Sequence, residues 1–175
     1  MARITLITGG ARSGKSRHAL GLAAERPQPA FIATAEPADQ EMRARIAQHR
    51  AERPARFHTI EEPLDLAGAL RRLPPGTGVA IVDCLTVWLG NLLHHRGAAE
   101  QYPEVRAFLQ ALDQPPCELI LVTNEVGLGL VPPTEMGRAF RDLAGTLNQQ
   151  VASRAGTVIL VVCGLPLFLK KEPPA

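Results

Sequence analysis

Residues 9–16 decide the fold, and they read Gly9-Gly10-Ala11-Arg12-Ser13-Gly14-Lys15-Ser16. This octet matches G-x-x-x-x-G-K-[ST], the pattern of a phosphate-binding loop (P-loop) whose backbone N–H groups cradle phosphate oxygens. A β-rich apolar run precedes it at residues 3–8, and a helical pattern follows at residues 16–25. Because strand, loop and helix stand in the required order, the octet predicts a nucleotide site, and a plain glycine-rich turn is disfavoured.

Lys15 is the only lysine among the first 169 residues, although the chain contains 16 arginines. A compact ammonium on a flexible stem reaches β- and γ-phosphates in a way that a planar guanidinium does not. We therefore expect Lys15 to act on the phosphates of a bound nucleotide. Ser16 is the expected ligand of Mg²⁺.

Length and composition restrict the class of protein. The 175 residues, 46% of them hydrophobic, predict one domain over residues 1–175 with one core. A net charge of +2 without a basic run disfavours nucleic acid as a partner. The absence of a signal-peptide pattern and of about 18 consecutive apolar residues predicts a cytoplasmic protein without membrane insertion. Cys84, Cys117 and Cys163 lie in or beside apolar runs without metal-ligand spacing, which predicts buried free thiols.

Apolar runs alternate with helical patterns along the chain. The runs are typical of strands covered on both faces and lie at residues 29–34, 79–83, 118–123 and 157–163. The helical patterns lie at residues 37–53, 63–73, 85–95, 103–112 and 134–154. This alternation predicts a P-loop-type three-layer α/β sandwich with a mostly parallel sheet. Residues 56–60 are a further candidate strand, and residues 166–170 are a candidate antiparallel edge strand.

Asp83 ends one of the buried strands, and polar groups at the carboxyl ends of such strands form the sites of open α/β sheets. A carboxylate there suits Mg²⁺ that bridges nucleotide phosphates. Aspartate is also a favoured N-cap residue, so capping of the helix that starts at Leu85 is the alternative.

One face of the helix predicted at residues 37–53 carries a histidine within an apolar stripe. The stripe has 4, 3, 4 spacing and consists of Met42, Ile46, His49 and Arg53. A histidine in such a stripe is usually a core or boundary residue. Arg45, Arg50 and Arg53, however, form a cationic collar suited to phosphate, which makes His49 a candidate nucleophile towards phosphorus.

Residues 123–132 (TNEVGLGLVP) are too glycine-rich to continue as strand or to start a helix. We expect a mobile loop over the cleft that aims Asn124 and Glu125 at a ligand. Glu125 is a candidate base or metal partner, and a structural turn is equally consistent with the sequence. On the next helix, the polar residues fit a solvated face: Arg138, Arg141, Asp142 and Asn148.

Together these segments resemble the bifunctional adenosylcobinamide kinase/adenosylcobinamide-phosphate guanylyltransferase family. The resemblance runs from Ile4 to Lys170 and rests on six segments: GGARSGKSRHA, FIATAEP-x-x-x-EM-x-x-RI-x-x-H-x-x-x-RP, VDCLTVWLGNLL, VTNEVGLGLVP, FRDLAGTLNQ and GLPLFLK. It implies phosphorylation of adenosylcobinamide by a nucleoside triphosphate, GTP or ATP. It further implies transfer of GMP from GTP to adenosylcobinamide phosphate, which gives adenosyl-GDP-cobinamide for adenosylcobalamin synthesis. Members of the family form homo-oligomers.

The resemblance also implies roles for individual residues. The guanylylated histidine of the family falls on His49, which follows Gln48 where some relatives have a second histidine. Besides the P-loop, the implied GTP contacts are Thr34, Ala35, Glu36, Glu52, Arg53, Pro54, Ala55, Glu61 and Asp83.

Two other functions are compatible with the P-loop. A kinase of another small molecule would share Lys15, Ser16 and Asp83 but would not need His49 in an arginine collar. An oligomeric P-loop ATPase acting on nucleic acid would need a basic groove.

Overall fold

The computed structural model describes residues 3–171. The strands are β1 (Ile4–Thr8), β2 (Ala30–Ala33), β3 (His58–Glu61), β4 (Val79–Asp83), β5 (Glu118–Val122), β6 (Thr157–Val162) and β7 (Leu165–Lys171). The helices are α1 (Lys15–Ala23), α2 (Gln40–Glu52), α3 (Leu66–Arg71), α4 (Leu85–Arg96), α5 (Pro103–Asp113) and α6 (Glu135–Arg154). None of these helices is long and apolar enough to cross a membrane. Residues 1–2 and 172–175, which the prediction of one domain includes, lie outside the described residues.

The described strands form a single sheet in the order β3-β2-β4-β5-β1-β6-β7. Strands β1 to β6 pair in parallel, and β7 pairs antiparallel with β6. This confirms the mostly parallel sheet with an antiparallel edge strand. The candidate strand at residues 56–60 is β3, which starts two residues later and ends one residue later than predicted. All carboxyl ends of the parallel strands meet at one edge of the sheet, where ligands of such folds bind.

The core lies on both faces of this sheet because successive strand residues point to opposite sides. In β1, Leu6 packs in one cluster with helices α3 to α6, whereas Ile7 packs in the other with α1. Trp88 and Phe108 fill the first cluster and meet edge to face, with ring centroids 5.2 Å apart. The three-layer prediction is therefore confirmed, and α2 is the helix that buries no residue.

Two helices start later than the pattern predicts because aspartates cap them. The Asp39 carboxylate accepts a hydrogen bond from the Met42 N–H (2.7 Å), so α2 starts at residue 40 rather than 37. The Asp65 carboxylate accepts one from the Gly68 N–H (2.7 Å), so α3 starts at residue 66 rather than 63. Such side-chain bonds replace the missing backbone acceptors of the first helical turn.

The prediction of three buried thiols is correct for Cys84 and Cys117 and wrong for Cys163, which is exposed. Strand β6 ends at Val162, so Cys163 lies in the turn to β7 rather than in the strand. Its positive φ of 53° is typical of such a tight turn.

Candidate active site

The P-loop is shaped by the hairpin formed by β6 and β7. A Cβ atom at Gly9, whose φ is 149°, would collide with the carbonyl oxygen of Val161 in β6. Gly14 caps α1 in a left-handed conformation, and a Cβ atom there would lie 3.3 Å from the Cα of Gly164. The Gly164 N–H donates to the Ser13 carbonyl (2.9 Å). Glycine is thus required at positions 9 and 14, because backbone from the hairpin occupies the space of a side chain.

Lys15 is buried and curls back over the P-loop. Its ammonium donates to the Gly10 carbonyl (2.5 Å) and approaches the Ser13 hydroxyl (3.4 Å). Burial lowers the pKa of Lys15, while the nearby Asp83 carboxylate acts in the opposite direction. The ammonium is therefore held within the loop by one carbonyl and one hydroxyl group, where a phosphate oxygen would be a stronger partner.

Asp83 carries a buried carboxylate oxygen, Oδ2, that has no hydrogen-bond partner among the described residues. The alternative that Asp83 caps α4 is wrong, because the N-cap is Cys84, whose Sγ accepts from the Val87 N–H (3.4 Å). Burial raises the pKa of the Cys84 thiol to about 12, so this group stays protonated near neutral pH. A buried, unpartnered carboxylate oxygen is the kind of group that a divalent cation satisfies.

A cleft of about 290 Å³ separates α2 from the ends of β2 and β4. His49, Arg53 and Asp83 all line it. On α2, the predicted stripe holds the partly buried positions, and the remaining described residues of the helix are exposed. The shared face is confirmed. The core interpretation of His49 is wrong, because α2 has no buried residue and its stripe lines an open cleft, whereas the partly buried position of His49 fits the boundary interpretation.

Of the three arginines in the collar, one is neutralised by an ion pair and two are available to bind an anion. Arg50 forms an ion pair with Glu61. The Arg53 guanidinium stacks on the Phe31 ring (3.6 Å to the centroid) and donates to the Thr59 hydroxyl (2.8 Å), while its buried Nε has no partner. Burial lowers the pKa of Arg53. Neither Arg53 nor Arg45 makes an ion pair within residues 3–171, so both remain able to bind phosphate.

Comparison with known proteins identifies the family. Residues 5–169 match the family model described as "CobU: Cobinamide kinase / cobinamide phosphate guanyltransferase". The chain belongs to this family. The bifunctional adenosylcobalamin biosynthesis protein CobP of Pseudomonas aeruginosa is 50% identical over 169 residues, 96% of this chain and 98% of that protein. The corresponding CobU of Escherichia coli is 40% identical over 178 residues, 94% of this chain and 98% of that protein.

Likeness to a solved structure concerns the fold alone. A prototypical ATPase from the type III secretion system of pathogenic bacteria superposes with a TM-score of 0.58 at 10% identity. The match covers 95% of this chain and 56% of that chain. The family match thus confirms the resemblance seen in the sequence, and the structural match confirms a P-loop-type fold.

The nucleotide contacts implied by the family resemblance are only partly brought together. Ala35, Arg53, Glu61 and Asp83 line the cleft that holds His49. Thr34 is fully buried, and its hydroxyl donates to the Cys84 carbonyl (2.9 Å) and accepts from the Cys84 N–H (2.8 Å). Its side chain therefore joins the end of β2 to the start of α4, and does not face the cleft in this conformation.

Four other implied contacts lie outside the cleft. The Glu36 carboxylate contacts the His95 ring (2.8 Å) on α4. Glu52 accepts a hydrogen bond from Gln48 (2.9 Å), and Pro54 and Ala55 are exposed beyond the end of α2. Their contact with a nucleotide remains a prediction that needs movement of α2.

The loop after β5 begins beside the P-loop. The Glu125 N–H donates to the Gly9 carbonyl (3.0 Å), while the Glu125 carboxylate accepts from the Gly127 N–H (2.8 Å). Asn148 of α6 donates to the Asn124 carbonyl (3.3 Å) and accepts from the Thr123 hydroxyl (2.8 Å). Asn148 therefore fixes the start of this loop, and the solvated-face interpretation is wrong for it.

Asn148 and Gly164 support the site, although their sequence context did not predict this role. Asn148 follows Leu147 and lies one turn after Ala144, both of which are buried, so helical spacing already placed it at the margin of the core. Gly164 follows the last parallel strand at its carboxyl end, which was the available signal for a place near the P-loop.

Proposed function

We propose that this protein phosphorylates adenosylcobinamide with GTP or ATP and then transfers GMP from GTP to adenosylcobinamide phosphate. The second step uses a guanylyl group held covalently on His49. The observation that carries the proposal is the position of His49 in one cleft with Arg53 and Asp83, next to the P-loop lysine. Membership of the cobinamide kinase and guanyltransferase family supports the substrates.

The triphosphate is bound by the backbone N–H groups of residues 9–16 and by the Lys15 ammonium. Asp83 Oδ2 and the Ser16 hydroxyl would hold Mg²⁺, which would neutralise the negative charge of the phosphates. Within residues 3–171, no three or more His, Cys, Asp or Glu side chains are placed so that they could hold a metal ion together, so water and phosphate would supply the other ligands. The unpartnered Asp83 oxygen supports this arrangement.

In the guanylyl transfer, a ring nitrogen of His49 attacks the α-phosphorus. A P–N bond forms while the P–O bond to pyrophosphate breaks, and pyrophosphate leaves. An oxygen of adenosylcobinamide phosphate then attacks the same phosphorus, and the P–N bond breaks to release the imidazole. Arg45 and Arg53 line the cleft and would bind the phosphate charge during both steps.

This transfer requires α2 to move towards the P-loop, because a P-loop presents the γ-phosphate outward. The burial pattern supports such a movement. Helix α2 has no buried residue, so shifting it disrupts little of the core. The ion pair between Arg50 and Glu61 is exposed and would open at small cost.

The kinase step needs a base for the alcohol of adenosylcobinamide. Glu125 is our first candidate, because its backbone lies against Gly9 of the P-loop. Asp83 is the second.

We further propose a cytoplasmic homo-oligomer with one domain over residues 1–175, without nucleic acid as a partner and without membrane insertion. The exposed Leu167 and Phe168 on edge strand β7 support the homo-oligomer.

The decisive experiment is incubation with α-labelled GTP and Mg²⁺ followed by denaturing electrophoresis. We expect label on the wild-type protein and none on His49→Asn. The exposed His94 lies outside the cleft, so His94→Asn is the matched control and should label normally. Label from γ-labelled GTP should not remain on the protein. A kinase of another small molecule would show no label, and label on His49→Asn would identify another nucleophile.

A further inference from the structure

The loop between β5 and α6 exposes large apolar side chains. Leu128 is 82% exposed, Leu130 95% and Val131 68%, and Met136 in the first turn of α6 is 63% exposed. Residues 128–131 are all exposed, and no backbone hydrogen bond joins them to another part of the described chain. Single exposed leucines are ordinary, whereas four large apolar side chains within nine residues form a patch typical of a binding surface. We call residues 128–131 with Met136 the apolar loop.

Both ends of the apolar loop are held in place. At its start, the Glu125 N–H donates to the Gly9 carbonyl of the P-loop (3.0 Å). At its end, Arg138 donates to the carbonyls of Pro132 (3.1 Å) and Pro133 (2.9 Å). The exposed leucines are therefore tethered at the Gly9 end of the P-loop. The Lys15 ammonium, the expected partner of the γ-phosphate, lies at the same end, against the Gly10 carbonyl.

The other elements around the P-loop leave no room for a large substrate. The turn from β6 to β7 packs on Ser13 and Gly14. The cleft at Asp83 measures about 290 Å³, which fits a nucleotide portion and is too small to hold a corrin macrocycle as well. A large acceptor must therefore rest outside the cleft and extend its reacting arm to the P-loop.

We propose that the apolar loop binds the corrin ring of adenosylcobinamide, an inference that rests on the proposed function. The edge of this macrocycle carries methyl groups and neutral amide side chains, and its aminopropanol arm ends in the alcohol that is phosphorylated. Residues 126–133 (VGLGLVPP) contain no charge, which suits neutral amides and methyl groups. Gly129 has open space around it, so its peptide groups are accessible to the substrate's amides.

A second apolar surface on β7 fits this substrate less well. Leu165, Leu167 and Leu169 lie on an edge strand. An edge strand presents a row of backbone N–H and C=O groups, which suits another strand rather than a macrocycle. Its turn is already bonded to the P-loop, because the Gly164 N–H donates to the Ser13 carbonyl.

The test compares Leu128→Ser/Leu130→Ser with the wild-type protein in two assays. Kinase rates are measured against adenosylcobinamide at saturating ATP, and the dissociation constant of adenosylcobinamide is measured by equilibrium dialysis. Self-guanylylation by GTP, which needs no corrinoid, is measured separately. We expect KM and Kd for adenosylcobinamide to rise roughly tenfold or more, from the loss of two apolar contacts. Both kcat and self-guanylylation should stay unchanged.

Leu22→Ser is the matched control, because Leu22 is 41% exposed on α1 and lies outside the apolar loop. It should leave all these constants unchanged. If the double variant also loses self-guanylylation, the single variants Leu128→Ala and Leu130→Ala decide, and a wild-type KM in both overturns the inference. A smaller oligomer with unchanged KM would also overturn it and would identify the loop as a subunit contact. A wild-type protein without labelling or kinase activity would instead overturn the proposed function.

Discussion

At the scale of single residues, burial without a partner is the observation that supports the proposed metal site. Asp83 Oδ2 is buried, lacks a hydrogen bond among the described residues and lies near the Lys15 ammonium. Helix capping does not explain this aspartate, because Cys84 performs that role. A charge kept in such a position costs stability unless a ligand uses it, which is typical of functional sites.

Asp83→Asn should therefore weaken catalysis without weakening the fold. We expect both kinase and guanylyl transfer rates at fixed Mg²⁺ to fall by at least about tenfold, since an amide replaces a charged ligand. The melting temperature without nucleotide should stay the same or rise. Steady-state kinetics over a Mg²⁺ series, with thermal unfolding alongside, measure both quantities. Unchanged kinetics with a lower melting temperature would assign Asp83 a purely structural role.

The lowered pKa of Lys15 predicts a dependence of nucleotide binding on pH. Burial favours the neutral amine, so Lys15 loses its charge at a lower pH than the ordinary value of 10.5. Affinity for a nucleotide should thus decline as pH rises through this lowered pKa. In the same window the unfolded chain binds more protons than the folded one, so the ligand-free protein becomes more stable as pH rises.

A titration of GTP against wild-type protein and Lys15→Arg across alkaline pH checks this prediction. The guanidinium stays charged throughout, so Lys15→Arg should bind GTP weakly but without the alkaline decline. An identical decline in both proteins would show that another group titrates.

At the scale of elements, the P-loop depends on the hairpin formed by β6 and β7. A side chain at position 9 would collide with the Val161 carbonyl, which is backbone and cannot rotate away. Gly10 has nothing within 4 Å of its Cβ position and a φ outside the left-handed region. The two neighbouring glycines thus differ in their tolerance of a methyl group.

We expect Gly9→Ala to lower the free energy of unfolding by about 1–3 kcal/mol through backbone strain. It should also abolish nucleotide binding, because β6 and the P-loop have to separate. Gly10→Ala is the matched control and should retain both properties. Denaturant unfolding and nucleotide titration measure them. Equal behaviour of the two variants would mean that the hairpin does not shape the P-loop.

Some features of the helices, strands and loops could be predicted from the sequence, and others could not. Local patterns sufficed for the P-loop, the five main parallel strands and the shared face of α2, because period and spacing are properties of neighbouring residues. The pairing of Arg50 with Glu61 and the burial of Thr34 under Cys84 were not predictable. These contacts join segments that meet only after the sheet has formed. The pattern of α2 also did not show that its apolar stripe lines a cleft instead of packing on a core.

At the scale of the whole molecule, the proposed function consists of two activities that share one phosphate site but differ in their need for α2. In this proposal, phosphorylation uses the P-loop and Asp83, which lie at the carboxyl ends of β1 and β4. Guanylyl transfer would need, in addition, His49 on α2, a helix that buries no residue. A single chain can thus alternate between two reactions by moving one weakly packed element.

The two activities should therefore separate in a pair of variants. Lys15→Ala should abolish both, since each reaction binds its nucleotide on the P-loop. His49→Asn should abolish guanylyl transfer and retain a substantial kinase rate, because γ-phosphoryl transfer does not use the imidazole. Separate assays of adenosylcobinamide phosphate and adenosyl-GDP-cobinamide, supplied with their own substrates, measure the two rates. Equal loss of both activities in His49→Asn, with a lowered melting temperature, would show that His49 has a structural role. The nucleophile of guanylyl transfer would then have to be another residue.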